Sequence, residues 1–373
     1  MTSPRQSSAP EPPLCRGDRV PDVLLPESGG AKVSLYDKSR GKPLIVLLCT
    51  DPGRLEAAIA ALGTWCGESA EALAHGFVIS PCDDDSARAV AASTGFPGWF
   101  MRETDGQASR AFGFQWQALD ACCLIFVLDP NQRILEVLGA SADEALEAIE
   151  RVRARLASLE LFGAAARPRD VAPILMIPRV LEPELCKRLI EVFHARGNEE
   201  SGVHTIVEGV LQHQVDHSMK KRFDHYVRDD DIISALNWRM ARRVVPEIHK
   251  AFYYEATKCE EFKIVCYRAD EQGYFRVHRD NYSPQTVHRR FAMTLNLNED
   301  EYEGGELRFP EYGPHLYKPR AGEAVIFSCS LLHEAMNVTR GERYALIAFL
   351  YGEDGARQRR EMDRLMRDAE QGP

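Results

Sequence analysis

In the first 160 residues, unbroken apolar runs alternate with stretches of helical period. Residues 43–50 (PLIVLLCT) are apolar almost throughout, the pattern of a strand buried on both faces of a parallel sheet. A helix is expected over 54–65, a strand over 75–80 and a second helix over 85–93. Residues 121–140 read as two strands around the turn Asp129-Pro130-Asn131. Ser141 followed by Glu144 has the capping-box spacing, and Leu146, Ile149, Val152, Leu156 and Leu159 then keep one apolar helix face. This order predicts an α/β sandwich of thioredoxin-like type over about 18–160.

The pattern changes after a Pro- and Ala-rich stretch, 161–172, which reads as a linker. A strand is expected over 174–181, then a helix over 182–197 closed by Gly197. Ile232, Leu236, Met240, Val244, Ile248 and Phe252 recur every four residues and predict a long helix over about 230–255, kinked at Pro246. From Phe262 the chain is short alternating runs between Gly and Pro turns: 262–269, 274–280, 291–298, 305–310, 324–330 and 344–351. Six such runs in about ninety residues indicate an antiparallel double-sheet jelly roll (a double-stranded β-helix), buttressed by the two helices. The expected organisation is a flexible N-terminus over 1–17, the α/β domain over 18–160, the linker, a jelly-roll domain over 173–355 and a charged tail over 356–373.

Composition narrows this picture. A net charge of −10 argues against a nucleic-acid groove and against an anionic membrane surface. The longest apolar run is far too short to span a bilayer, and the Pro- and Ser-rich start lacks an apolar signal core, so a cytoplasmic protein is expected. Ten cysteines form neither a CxxC pair nor a compact framework, and adjacent Cys122 and Cys123 read as buried thiols. Oligomeric state stays open.

The candidate chemistry lies in the second half. His278 and Asp280 are two apart in a run that alternates as a strand does, so both face one way. A second imidazole, His333, from a distant strand completes the set of two His and one carboxylate that holds Fe(II) and leaves coordination positions open. Thiolates would draw zinc or clusters instead. Arg343, ten residues beyond His333, offers a planar fork for a carboxylate. Together they suggest an oxygenase using Fe(II), dioxygen and 2-oxoglutarate.

Residues 173–351 resemble the prolyl-4-hydroxylase-like branch of the Fe(II)/2-oxoglutarate dioxygenases. The resemblance implies His278, Asp280 and His333 as iron ligands, Arg343 as the base that binds the co-substrate's distal carboxylate, and Tyr267 as a hydroxyl beside it. It further implies hydroxylation of an unactivated carbon in a peptidyl or free amino-acid side chain, prolyl foremost, with ascorbate as reductant; it does not name the substrate. Collagen-type members use Lys where this chain has Arg343, which bears on substrate type more than on reaction type. Residues 17–48 resemble the opening of peroxiredoxins, but Arg54 stands where that family keeps its reactive cysteine and Cys49 comes too early, so a degenerate redoxin module is expected. Two rival readings are a thiol peroxidase with an accessory jelly roll and a non-catalytic sensor of oxygen or 2-oxoglutarate.

Other residues have plainer readings. His288 falls in an expected loop, solvated or facing substrate; His213, His217 and His225 are further candidates. The charged run 216–231 reads as a solvated segment, with a lid as the lesser alternative. Asn281, Arg289 and Arg290 are candidate substrate contacts that nothing in the spacing forces. Gly304-Gly305 reads as a tight turn or bulge.

Overall fold

The structure, a computed structural model, describes residues 13–27, 30–39, 41–67, 72–114, 123–158, 167, 169–207 and 210–371. It divides into two compact units, Met1–Ala165 and Ala166–Pro373. Leu159 and Cys122 lie outside the described residues.

The first unit is built on a five-stranded sheet in the order Trp99–Arg102, His75–Ser80, Leu44–Cys49, Cys123–Leu128, Ile134–Ala140. The first three strands run parallel, and the last two join antiparallel as a hairpin. Leu44–Cys49 is buried at every position because the sheet has a core on each face. Helices Glu56–Gly63, Asp84–Thr94 and Ala145–Ala157 cover one face, which is the thioredoxin-like sandwich expected. Two expectations need correction. Leu146 is exposed; the buried stripe runs through Ala145, Ala148, Ile149, Val152 and Leu156. Leu14 is buried in the second core, so order begins inside the segment expected to be flexible. The strand Trp99–Arg102 and the helix Gln107–Phe112 were not legible in the pattern. Glu144 accepts from both the backbone N–H and the hydroxyl of Ser141, so the capping box is realised from the Glu side.

The second unit is a double antiparallel sheet. The larger sheet runs Leu175–Ile177, Ala324–Ser328, Phe291–Asn296, Glu342–Tyr351, Lys263–Arg268, Phe223–Tyr226, Glu199–Glu200, with Lys258–Cys259 also paired to Glu342–Tyr351. The smaller runs Lys220–Lys221, Tyr274–His278, His333–Ala335, Leu307–Arg308, Leu316–Tyr317. Alternation sorts the larger sheet's side chains. Ile264, Cys266, Tyr344, Leu346 and Ala348 pack against the helices, while Val265, Tyr267, Ala345 and Phe327 face the space between the sheets.

The helices are Pro183–Ala195, followed by Gly197 at φ +84°, and a pair in which Asp230–Arg239 passes through a π-turn, Met240–Val244, into Val245–Phe252. Proline explains the π-turn. Pro246 has no N–H and its ring would strike the carbonyl four residues back, so one extra residue is accommodated and Val245 N–H donates to the Met240 carbonyl. The expected kink is thus a local unwinding, and the helix ends at Phe252 rather than Glu255. The expected strand over 174–181 shrinks to Leu175–Ile177. The expected tail is a helix from Glu353 to Gln371.

Candidate metal centre

His278 closes its strand and stands directly opposite His333 across the smaller sheet, with a register shift between Phe275 and His278. Asp280 is two residues past the strand end, in a turn rather than on the strand as expected, and its N–H donates to the Cys329 carbonyl (3.0 Å). His278 Nε2 lies 3.5 Å from Asp280 Oδ1 and His333 Nε2 lies 3.3 Å from Oδ2. One ligand atom from each of the three falls within 4.8 Å of the others, the one such group among the described residues.

Outer contacts fix the rings. His278 Nδ1 bonds the Arg276 carbonyl at 2.7 Å and His333 Nδ1 the Leu331 carbonyl at 3.0 Å, which leaves both Nε2 atoms aimed at the carboxylate. Phe275 stacks on His278, and Phe327 meets His333 edge-on. Burial by itself would raise the Asp280 carboxyl, but His333, His278 and Arg289 outweigh it and hold it well below the usual carboxylate range. Burial lowers His333 despite Asp280. An ionised carboxylate and a neutral imidazole are the forms that bind metal. The donor set therefore fits Fe(II).

These residues line a cavity of about 670 Å³ that also takes in Tyr267 and Arg343. Those two are cross-strand partners on the inward face of the larger sheet, and the guanidinium lies 5.2 Å from the phenol ring centre. Arg343 is 2% exposed, yet it has no hydrogen bond or ion pair among the described residues, and its Nε is wholly buried without a partner. An unpaired buried cation is costly, so a site of this kind is completed by an anion.

Gly304 and Gly305 carry φ of +73° and +68° at an irregular pairing with the strand Val338–Arg340, the bulge expected. A Cβ on Gly305 would stand 2.9 Å from Arg343 Cδ and 2.9 Å from Val338 Cγ2. Gly305→Ala is therefore expected to lose about 1–3 kcal/mol of stability and to weaken carboxylate binding by displacing Arg343. Urea denaturation and co-substrate titration of the variant check both effects; an unchanged carboxylate affinity would show that Gly305 does not set the Arg343 position.

Sequence reasoning missed one group and misread another. The charged run is solvated only at its ends, where His217, Arg228 and Asp231 are exposed: Lys220 and Phe223–Tyr226 join the two sheets, and Lys220, Arg222 and Asp224 are buried against the cavity. Arg222 clasps Asp224 through Nε (2.7 Å) and a terminal nitrogen (2.9 Å), and its other terminal nitrogen donates to the Tyr267 hydroxyl at 3.4 Å. Lys-Lys-Arg-Phe-Asp alternates, and that was the signal available: 220, 222 and 224 share one strand face. His288 is not solvated; it is 3% exposed and bonds Glu260 at 2.8 Å. His217 pairs with Glu200 and His225 with the Gly197 carbonyl, both outside the cavity, while the His213 side chain is not among those described. Arg290 holds Asp354 and Gln358, and Asn281 holds Ser330, so neither faces the cavity.

Arg289 does line it. Its guanidinium forks onto Glu260 (2.8 Å twice) and reaches the Asp280 carbonyl at 3.4 Å. Burial opposes the ionised Glu260, but His288 and Arg289 prevail and bring it down to about 2 from an ordinary 4.5. Its folded value is depressed, so the stabilisation is fully present above the unfolded value and is lost as pH falls from about 4.5 to 2, on the order of 3 kcal/mol. Acid unfolding followed against pH checks this. Glu260→Gln should flatten that part of the curve; an identical curve would remove Glu260 from the account.

Cys49 ends its strand wholly buried, and Arg54 sits in a short turn, Pro52–Leu55; a reactive thiol needs access that Cys49 lacks.

Residues 262–351 match the 2OG-Fe(II) oxygenase superfamily. A PKHD-type hydroxylase of Shewanella is 29% identical over 187 residues, covering 48% of this chain and 77% of that protein. PKHD-type hydroxylases of Caulobacter and Pseudomonas putida are matched over only 31% and 39% of their own length. Among solved structures, a Pseudomonas putida prolyl-4-hydroxylase is similar over 48% of this chain and 93% of its own, at 18% identity and a TM-score of 0.37. A peroxidoxin of Mycobacterium tuberculosis is similar over 37% of this chain and 96% of its own, at 21% identity and a TM-score of 0.32.

Proposed function

We propose that this chain, whose residues 262–351 belong to the 2OG-Fe(II) oxygenase superfamily, hydroxylates an unactivated carbon at the expense of 2-oxoglutarate. The observation that carries the reading is Arg343: a buried guanidinium without a hydrogen-bond or ion-pair partner among the described residues, in the same cavity as two imidazoles and a carboxylate set to hold one ion. His278, Asp280 and His333 would hold ferrous iron, leaving positions open for a co-substrate and dioxygen. Iron, 2-oxoglutarate and dioxygen together supply one oxygen atom to a substrate C–H and the other to succinate, with loss of CO₂.

The chain's own residues bind, orient and exclude. Arg343 receives the distal carboxylate through a charge-assisted fork. Arg222 donates to the Tyr267 oxygen, which directs the phenolic hydrogen away from Arg222 and makes it available to the same carboxylate. Phe275, Phe327, Leu307 and Ala335 wall the centre with apolar surface and keep water from competing. The PKHD-type relatives favour a hydroxylase; the proposed substrate is an amino-acid side chain, peptidyl or free, prolyl foremost. Ascorbate is the proposed reductant and the cytoplasm the proposed compartment; no helix among the described residues is long and apolar enough to cross a membrane.

The test is anaerobic loading of the full chain with Fe(II) and 2-oxoglutarate, then admission of oxygen. Oxygen-dependent succinate release that His278→Ala abolishes is the expected result. No succinate above the iron-free control would overturn the reading.

A further inference from the structure

We infer that Lys220 and Arg222 form a second anion-binding position in the cavity, and that it takes the α-carboxylate of a free amino-acid substrate. This rests on the oxygenase reading, in which Arg343 and the metal centre already account for both ends of the co-substrate. What remains in the cavity is a buried basic cluster whose Lys220 the co-substrate does not need.

The cluster is built, not incidental. Lys220 is 5% exposed and Arg222 6% exposed, and both line the cavity. Lys220 Nζ lies 4.9 Å from the centre of the Phe275 ring, and Phe275 in turn stacks on the ligand His278. One aromatic ring therefore touches both a metal ligand and the buried ammonium. The Arg222 guanidinium is 5.6 Å from the centre of the same ring.

The cations around Asp224 are unequally satisfied. Arg222 and Lys263 both pair with that carboxylate, and Glu199 and Glu200 line the same cavity. Arg222 takes Asp224 bidentately and Lys263 reaches it at 3.1 Å, whereas Lys220 has only the Gly202 carbonyl among the described residues. An ammonium with three N–H groups and one acceptor has two donors to offer. Burial first, then Arg222 and Lys263, push Lys220 down to about 6, with Asp224 and Asp280 opposing. An arriving carboxylate would accept from the two free Lys220 donors and restore the charged form that burial disfavours.

A mid-chain peptide residue brings no α-carboxylate and would leave Lys220 without a charged acceptor. A free amino acid brings a carboxylate, so the cluster selects between the two substrate forms.

The experiment uses the full chain loaded with Mn(II), which does not turn over, and 2-oxoglutarate. Its melting temperature is measured with an equimolar pool of free amino acids and with a pool of the same residues as α-amides. Stabilisation by the acid pool and not by the amide pool is the expected result. Lys220→Met should abolish that response while 2-oxoglutarate affinity stays within about threefold, and Lys220→Arg should retain it. Equal stabilisation by both pools, or by neither, overturns the proposal. So does a Lys220→Met protein that loses 2-oxoglutarate binding, since the pair would then serve the co-substrate. A wild-type protein that fails to bind Mn(II) and 2-oxoglutarate instead sinks the oxygenase reading, and that control is read first.

Discussion

Replacing His333 by alanine will weaken ferrous binding by more than the tenfold to hundredfold that loss of an outer partner of a metal ligand costs, and will stop oxygen-dependent succinate release. The expectation follows from the pairing of His278 with His333. The two imidazoles are direct cross-strand partners with ring centres 4.3 Å apart, and Asp280 bridges their Nε2 atoms. Removing one leaves two donors, which cannot define a three-point face. The Leu331 carbonyl that orients the ring would lose its partner as well. Anaerobic Fe(II) titration against a chelator of known affinity provides the measurement, with His217→Ala as the control, since that imidazole is not among the residues lining the cavity. A His333→Ala protein with wild-type iron affinity would end the assignment.

Arg343→Met should move stability and co-substrate binding in opposite directions. In the free protein the guanidinium is buried without a hydrogen-bond or ion-pair partner among the described residues, so a methionine of similar reach removes an uncompensated charge and should stabilise the unit by about 1–3 kcal/mol. That corresponds to roughly 2–4 °C in melting temperature for each kcal/mol in a unit of this size. With 2-oxoglutarate present the order reverses, because a charge-assisted fork worth about 1.5–3 kcal/mol is lost and affinity falls roughly tenfold to a hundredfold. Anaerobic melts with Mn(II), with and without 2-oxoglutarate, read both signs in one experiment. A variant that melts lower than wild type without co-substrate, yet is stabilised by it as before, would make Arg343 a structural residue.

Much of this was legible because strands have period two. His278, His333, Tyr267 and Arg343 each fall in or next to a run whose alternation assigns an inward face, and the spacing of ligands along the chain is itself a chemical signature. Long helices were legible for the same kind of reason: Ile232 to Ile248 repeats with a helical period, and those side chains are buried. The failures were local. Leu146 is apolar and at a plausible spacing, but one helical step of error turns it out to solvent. His288 looked solvated because its neighbours are polar, and only the fold brings Glu260 to it.

The charged run 216–231 shows the division most clearly. Its composition predicts solvent, because burying a charge costs several kcal/mol unless a partner is present, and no single sequence states which partners will be present. Folding supplies them from separate elements: Asp224 from the same strand, Lys263 from the next, Gly202 from the edge and Tyr267 from across the pairing. The sequence by itself determined the two-unit architecture, the chemistry of the candidate metal ligands and the base ten residues beyond, since these depend on residue type and short-range period. Only the tertiary structure decided that Arg343 has no hydrogen-bond or ion-pair partner among the described residues and that Lys220 lies beside the candidate metal centre, because charge compensation depends on distances between residues far apart along the chain.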